Sequence, residues 1–227
     1  MSAYFVNDLD IAASKETAWV SGGALYIFDR ELSKTQKSDI VNSTLLAQLA
    51  ADKNYDRITD TDNWYQSYVN TLGRIGWVAS EFSFDPAPLS KPISAGQLVV
   101  DRLGNDIGSW RAKSVKAAVD TINKMPADEK ALKVFSSNAS SGPHANFQVG
   151  YCNTDDGNVV VDLGAFLYRI DQNVKNPLSS ILKSKSATIS SATQKMSLNK
   201  YVYERVRDSV LQKLGEHAKS CVAEVPM

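Results

Sequence analysis

NFQVGYCNTDDGNVVVDLGAFLYRIDQNVKNPLSSILKSKSATISSATQKMSL, residues 146–198, decides the fold. It reads as three extended segments, Phe147–Cys152, Val159–Ile170 and Ser179–Met196, separated by turn-rich linkers. In the first, Phe147, Val149 and Tyr151 share one face. Asp156-Gly157 supplies the positive φ values of a tight hairpin turn. In the second, Val159, Val161, Leu163, Ala165 and Leu167 line one face, and Val160, Phe166, Tyr168 and Ile170 the other. That pattern suits a strand covered on both sides. The third segment is different. Residues 179–193 are mostly Ser, Thr, Ala and Lys, and Lys183, Lys185 and Lys195 fall on one face with Ile189. Lysine along a strand is one way a sheet edge avoids unwanted pairing.

Outward from this stretch, helical patterns take over. Ser33 and Gln36 have capping-box spacing, and Ile40, Val41, Leu45, Leu46 and Leu49 follow at helical intervals to about Lys53. Asp60 or Asp62 opens a second helix with the stripe Trp64, Tyr65, Tyr68, Val69, Leu72 and Ile75, which Gly76 ends. A strand is expected next, with Val78, Phe82 and Phe84 inward and Trp77 outward. Pro86, Pro88 and Pro92 make 85–96 a surface linker inside one domain spanning 1–227. Helices are expected over Gln97–Leu103 and Ile107–Lys124, a short strand at Val134-Phe135 and a loop over 136–143. Before the first helix, Ala18–Val20 and Ala24–Phe28 flank Gly22-Gly23 as two short strands. After Asn199, Val202, Val206, Val210, Leu214, Ala218, Cys221 and Val225 predict one long helix to the C-terminus. The fold class is α+β: one mostly antiparallel sheet with helices packed on it and a long C-terminal helix.

Composition narrows the function classes. The 227 residues carry 25 basic and 25 acidic side chains, so no global field draws the chain to nucleic acid or anionic lipid. No apolar run reaches the roughly 20 residues of a membrane-spanning helix. Met1–Ser14 carries Asp8 and Asp10 and lacks the basic-then-apolar order of a secretory signal, so a soluble protein is expected. Cys152 and Cys221 are too few for a disulfide framework or zinc site and read as packed thiols. No phosphate-cradling glycine loop and no nucleophile elbow is present. His144 lies eight residues from Cys152, about 25 Å along an extended strand, so the two make no local dyad. The carboxylates Asp52, Asp56, Asp60 and Asp62 read as helix ends and caps, without the glycine and distal glutamate of a calcium loop. No catalytic residue, cofactor, metal site or small-molecule site is read from the sequence.

The order of elements — helices over 33–53, 60–75 and 107–124, strands over 147–196 — resembles the Cyt-type insecticidal cytolysins and the related mushroom cardiotoxins. The resemblance is architectural and rests on no diagnostic motif, and the long final helix departs from it. It implies one sheet wrapped by helix pairs and action on membranes without enzymatic chemistry. Strands alternating small apolar and Ser/Thr residues also suit a surface with lipid on one side and water on the other. The expected function is therefore non-enzymatic: membrane association or self-assembly, of pore-forming or virulence-factor type. Lipid or a second copy would be the partner, and Lys183, Lys185, Ile189 and Lys195 the contacts. The alternatives are a module that binds a partner through a sheet edge and an enzyme of unrecognised class.

Overall fold

The computed structural model describes residues 16–183 and 187–227. The stretch around Asp8 and Asp10, and Lys185, lie outside the described residues. The chain runs β1 (Thr17–Ser21), β2 (Ala24–Phe28), α1 (Lys34–Asp52), α2 (Thr61–Arg74), β3 (Trp77–Val78), β4 (Asp85–Pro86), β5 (Ile93–Ser94), α3 (Ala95–Ile107), α4 (Ser109–Lys124) and α5 (Lys130–Ala139). It continues through β6 (Ser140–Ser141), β7 (His144–Asp155), β8 (Asn158–Arg169), β9 (Ile181–Leu182), β10 (Thr188–Leu198), α6 (Lys200–Leu214), α7 (His217–Cys221) and β11 (Val222–Val225).

Among the described residues the main sheet has nine strands, with the path β11-β1-β2-β7-β8-β10-β3. Its pairs are antiparallel except β2 with β7. The β7–β8 hairpin turns where expected, at Asp156 (φ 48°) and Gly157 (φ 78°). The side-chain alternation of each strand feeds two cores. Phe147, Val149, Tyr151, Phe166 and Tyr168 pack with α3, α4 and α5 on one face. Val161, Leu163, Ala165, Met196 and Leu198 pack with α1, α2 and α6 on the other. The sheet is the middle of three layers, which is why β8 is apolar on both sides.

Helix α1 starts as predicted: Ser33 accepts from the Gln36 amide at 3.2 Å, and the Gln36 side chain accepts from the Ser33 amide at 2.9 Å. A buried polar clasp ties this helix pair to the sheet. Arg57 lies over the Trp64 ring at 4.2 Å and donates to Gln48 Oε1 at 3.0 Å. The same oxygen accepts from the Gly23 amide at 3.0 Å, and Gln48 Nε2 donates to the Ser21 carbonyl at 3.0 Å. Asn146 on β7 donates to the Arg57 carbonyl and accepts from the Tyr65 hydroxyl, both at 2.7 Å. A Cβ on Gly23 would collide with the Arg57 guanidinium.

Four expectations change. The C-terminal helix ends at Leu214, because Gly215 takes φ +49°. Val222–Val225 then pairs with β1 as a strand, so Val222 and Val225 matched a helical period by coincidence. Val134 and Phe135 lie within α5, where Ala131, Leu132, Phe135 and Ala139 complete a buried helical stripe. After Gly76 the pleat is inverted: Trp77 is buried and bonds Ser43 Oγ through its indole N–H at 3.0 Å, while Val78 is 67% exposed. The segment Ser179–Met196 is not one strand. Ile181-Leu182 pairs with β5 in a separate two-stranded sheet, and the polar strand of the main sheet begins at Thr188.

Gly76 takes φ +102°, and an added Cβ would stand 3.0 Å from Val202. Gly76→Ala is therefore expected to cost about 1–3 kcal/mol through backbone strain and crowding. A urea-unfolding midpoint shift at unchanged slope measures it, and a change within about 0.5 kcal/mol contradicts it.

Candidate functional site

The candidate site is the outer side of β10. On its inner side, β10 pairs with β8 over all eleven residues, from Thr188 opposite Arg169 to Leu198 opposite Val159. On the outer side, among the described residues, only two short strands meet it. Val78 lies opposite Ser197 and Asp85 opposite Ser191, so the six residues 79–84 face the five residues 192–196. One extra residue breaks the ladder, as in a β-bulge.

The aromatic side chains of the bulged segment show where it goes instead. Phe82 and Phe84 pack on Tyr65 of α2, with ring centroids 4.6 Å and 4.9 Å away. The Ser80 amide bonds the Gln194 side-chain oxygen at 2.9 Å rather than a β10 carbonyl. Gln194 Nε2 is buried and has no partner among the described residues. The Ala87 amide donates to the Ile189 carbonyl at 2.9 Å and the Asn199 amide to the Gly76 carbonyl at 2.8 Å. The odd-numbered residues of β10 therefore turn their main-chain groups outward. At Thr193 and Lys195 no backbone bond to residues 79–84 is made among the described residues.

Two grooves flank Lys195. One, of about 300 Å³, is lined by Leu103, Asp106, Asp162 and Lys195 on the α3 side. The other, of about 660 Å³, lies at the hairpin end between Val78, Asp156, Lys195 and Tyr201. Val78 and Tyr201 are 67% and 81% exposed, so an apolar rim with basic neighbours Lys195 and Lys200 borders open solvent. Asp162 is buried beneath Lys195, its carboxylate 3.9 Å from the ammonium. Burial pushes the Asp162 carboxyl above the usual carboxylate range, with Lys195 and Arg111 opposing the shift.

The expected contact residues separate. Lys195 is 61% exposed on the α3 face of the sheet, where it pairs with Asp162 of β8. Lys183 is exposed but follows β9, outside the main sheet. Ile189 is buried in the α3–α5 core. The sequence pattern of this outer segment is that of a half-buried strand followed by a proline linker; Pro86 and the exposed Asp85 are the signal that it is an edge.

The other candidates disperse. His144 and Cys152 lie on the same strand, β7, which holds them apart. Burial pushes the Cys152 thiol well up, so it stays protonated and is no nucleophile. Asp56 accepts from the Ile58 and Thr59 amides, and these bonds lower its pKa. Asp52 accepts from the Trp64 indole at 2.6 Å. Among the described residues no group of three or more His, Cys, Asp or Glu is arranged to hold a metal. No described helix is long and apolar enough to cross a membrane.

No protein-family model and no curated protein matches the sequence. Solved structures similar to it include a delta-endotoxin, at 9% identity over 79% of this chain and 84% of that one, with a TM-score of 0.45. The activated Cyt2Ba monomer from Bacillus thuringiensis subsp. israelensis is 10% identical over 76% and 94%, with a TM-score of 0.43. The Evf virulence factor is 12% identical over 96% and 88%, with a TM-score of 0.32. The likeness to a Cyt protein is one of architecture at low identity, the level at which the order of elements resembles that group.

Because the folded pKa of Asp162 is raised above its ordinary 3.8, its contribution to stability is full below that value and is lost as pH rises through the folded pKa. Asp162→Asn removes the loss. Its stability relative to the parent is expected to increase between pH 4 and pH 7 in paired urea titrations; a constant or reversed difference contradicts the assignment.

Proposed function

We propose that this is a non-enzymatic protein that acts by membrane association or self-assembly, in the manner of a pore-forming or virulence-type factor. The observation that carries this reading is the interrupted cover on β10. A strand with one complete ladder and one bulged, proline-containing neighbour exchanges that neighbour more readily than the fully paired one. Displacing residues 77–86 forfeits four register positions and the contacts of Phe82 and Phe84 with Tyr65. It also withdraws the buried Trp77 and its bond to Ser43 from the α1–α2 core, and leaves the β8 ladder and the α3–α5 core in place.

The freed edge would then add a strand from a second copy, which satisfies outward main-chain groups at every odd residue of β10. Strand-to-strand closure also lets β structure enter lipid without unmet backbone groups. The exposed Val78 and Tyr201, flanked by Lys195 and Lys200, suit the boundary between lipid tails and headgroups. Lys183 and Lys185 enter the proposal as contacts named from the sequence; Ile189 joins them only if the strand moves.

The test is dye release from liposomes. The pair Pro86 and Ser190 lies directly opposite across β4 and β10, and its odd-numbered neighbours carry the hydrogen bonds, which places it at the close spacing a disulfide needs. The double variant Pro86→Cys/Ser190→Cys is expected to release dye when reduced and to be silent when oxidised. Equal release in both states contradicts edge exchange, and no release by the parent over a range of lipids contradicts the membrane reading.

A further inference from the structure

A cleft of about 280 Å³ opens at the other end of β10, on the face that α1 and α2 cover. Strand register builds it. His144 on β7 lies opposite Arg169 on β8, and Arg169 lies opposite Thr188 on β10. Residues directly opposite in antiparallel strands share a face, so these three side chains form one row across three strands. The next row inward is Asn146, Leu167 and Ser190. Ile58, in the connection before α2, and Thr61, the first residue of α2, also line the cleft.

Among the described residues the lining contains no carboxylate. Among the described residues Arg169 makes no ion pair and donates no side-chain hydrogen bond. Asn146 and Thr61 are committed to the clasp: the first to the Arg57 carbonyl and Tyr65, the second to the Arg57 carbonyl at 3.0 Å. The groups left to serve a ligand are the Arg169 guanidinium, the His144 imidazole and the hydroxyls of Thr188 and Ser190. A carboxylate presents two oxygens, whereas a phosphate presents three or more. Donors converging from three strands around an arginine fork match the latter. The volume lies at the lower end for ligand pockets, which fits a single phosphate with a short attached group.

We propose that this cleft binds a phosphate ester, with Arg169 as its principal anchor and His144, Thr188 and Ser190 as flanking donors. The ester is either a soluble phosphomonoester or the headgroup of a phospholipid; only the second source rests on the membrane reading above. Phosphate binding is measured without any membrane, so its failure and the failure of that reading are separable.

Inorganic phosphate and glycerol 3-phosphate would be titrated into the full chain, followed by amide chemical shifts of residues 144–146, 167–169 and 188–190. Saturable shifts confined to these rows are expected. Arg169→Gln, an exposed position whose fold is checked by its melting curve, is expected to weaken binding at least about tenfold. His144→Gln is expected to weaken it less, and Lys213→Gln, at an exposed position on α6, to leave it unchanged. Flotation with vesicles containing phosphatidic acid, against vesicles of equal charge made with a fatty acid, then separates the sources. Arg169-dependent preference for phosphatidic acid assigns the headgroup; phosphate binding without that preference assigns a soluble ester. Absence of saturable shifts in the parent, or equal weakening by Lys213→Gln, overturns the proposal.

Discussion

Eleven consecutive pairs join Thr188–Leu198 to Val159–Arg169, and the position of the polar strand depends on that ladder. β8 supplies the register because it is apolar on both faces. A one-residue slip of β10 would drive Met196 and Leu198 out of the α1–α2 core and bring Lys195 in. Once β10 is held in this way, its outer side is free to be poorly matched. The bulge at 79–84 is tolerated because the fold does not need that neighbour to set the register.

The two faces of the sheet are held by different chemistry. Against α3, α4 and α5 the contact is almost wholly apolar, centred on the stacked Phe147 and Phe166, 5.5 Å apart. Against α1 and α2 it includes the Arg57–Gln48–Asn146–Tyr65 clasp, whose bonds run from the helix connection to both β7 and the β1–β2 turn. Hydrogen bonds of this kind contribute little net stability but are costly to break singly, so they fix geometry more than they add energy. They hold α2, and with it Tyr65, at the point where Phe82 and Phe84 of the outer segment pack. The clasp and the interrupted edge are mechanically connected through that tyrosine.

Local signals were legible in the sequence and distant ones were not. The Ser33–Gln36 box, the Asp156-Gly157 turn, the aromatic stripe of α2 and the alternation of β7 and β8 are contained within a few residues each, and each matches the structure. The end of α6 was missed because Val222 and Val225 kept a helical period past Gly215; only pairing with β1 makes them a strand. Val134-Phe135 looked extended because the serines after it resemble a loop, yet Ala139 completes its helical face. At the candidate site, the polar character of 188–198 could be read directly. That residues 77–86 cover it with one residue too many, and that His144, Arg169 and Thr188 form a row, are facts of register. Register is set by pairing between segments far apart in the chain, which no local pattern encodes.

Amide hydrogen exchange along β10 tests most directly whether this strand is held from one side. The amides of Ala192, Gln194 and Met196 point into the β8 ladder, and those of Thr193 and Lys195 point into the gap left by residues 79–84. Slow exchange at the first three and exchange at least about tenfold faster at the other two is the predicted alternation. Uniform protection across residues 192–196 would show a complete outer strand and contradict the account.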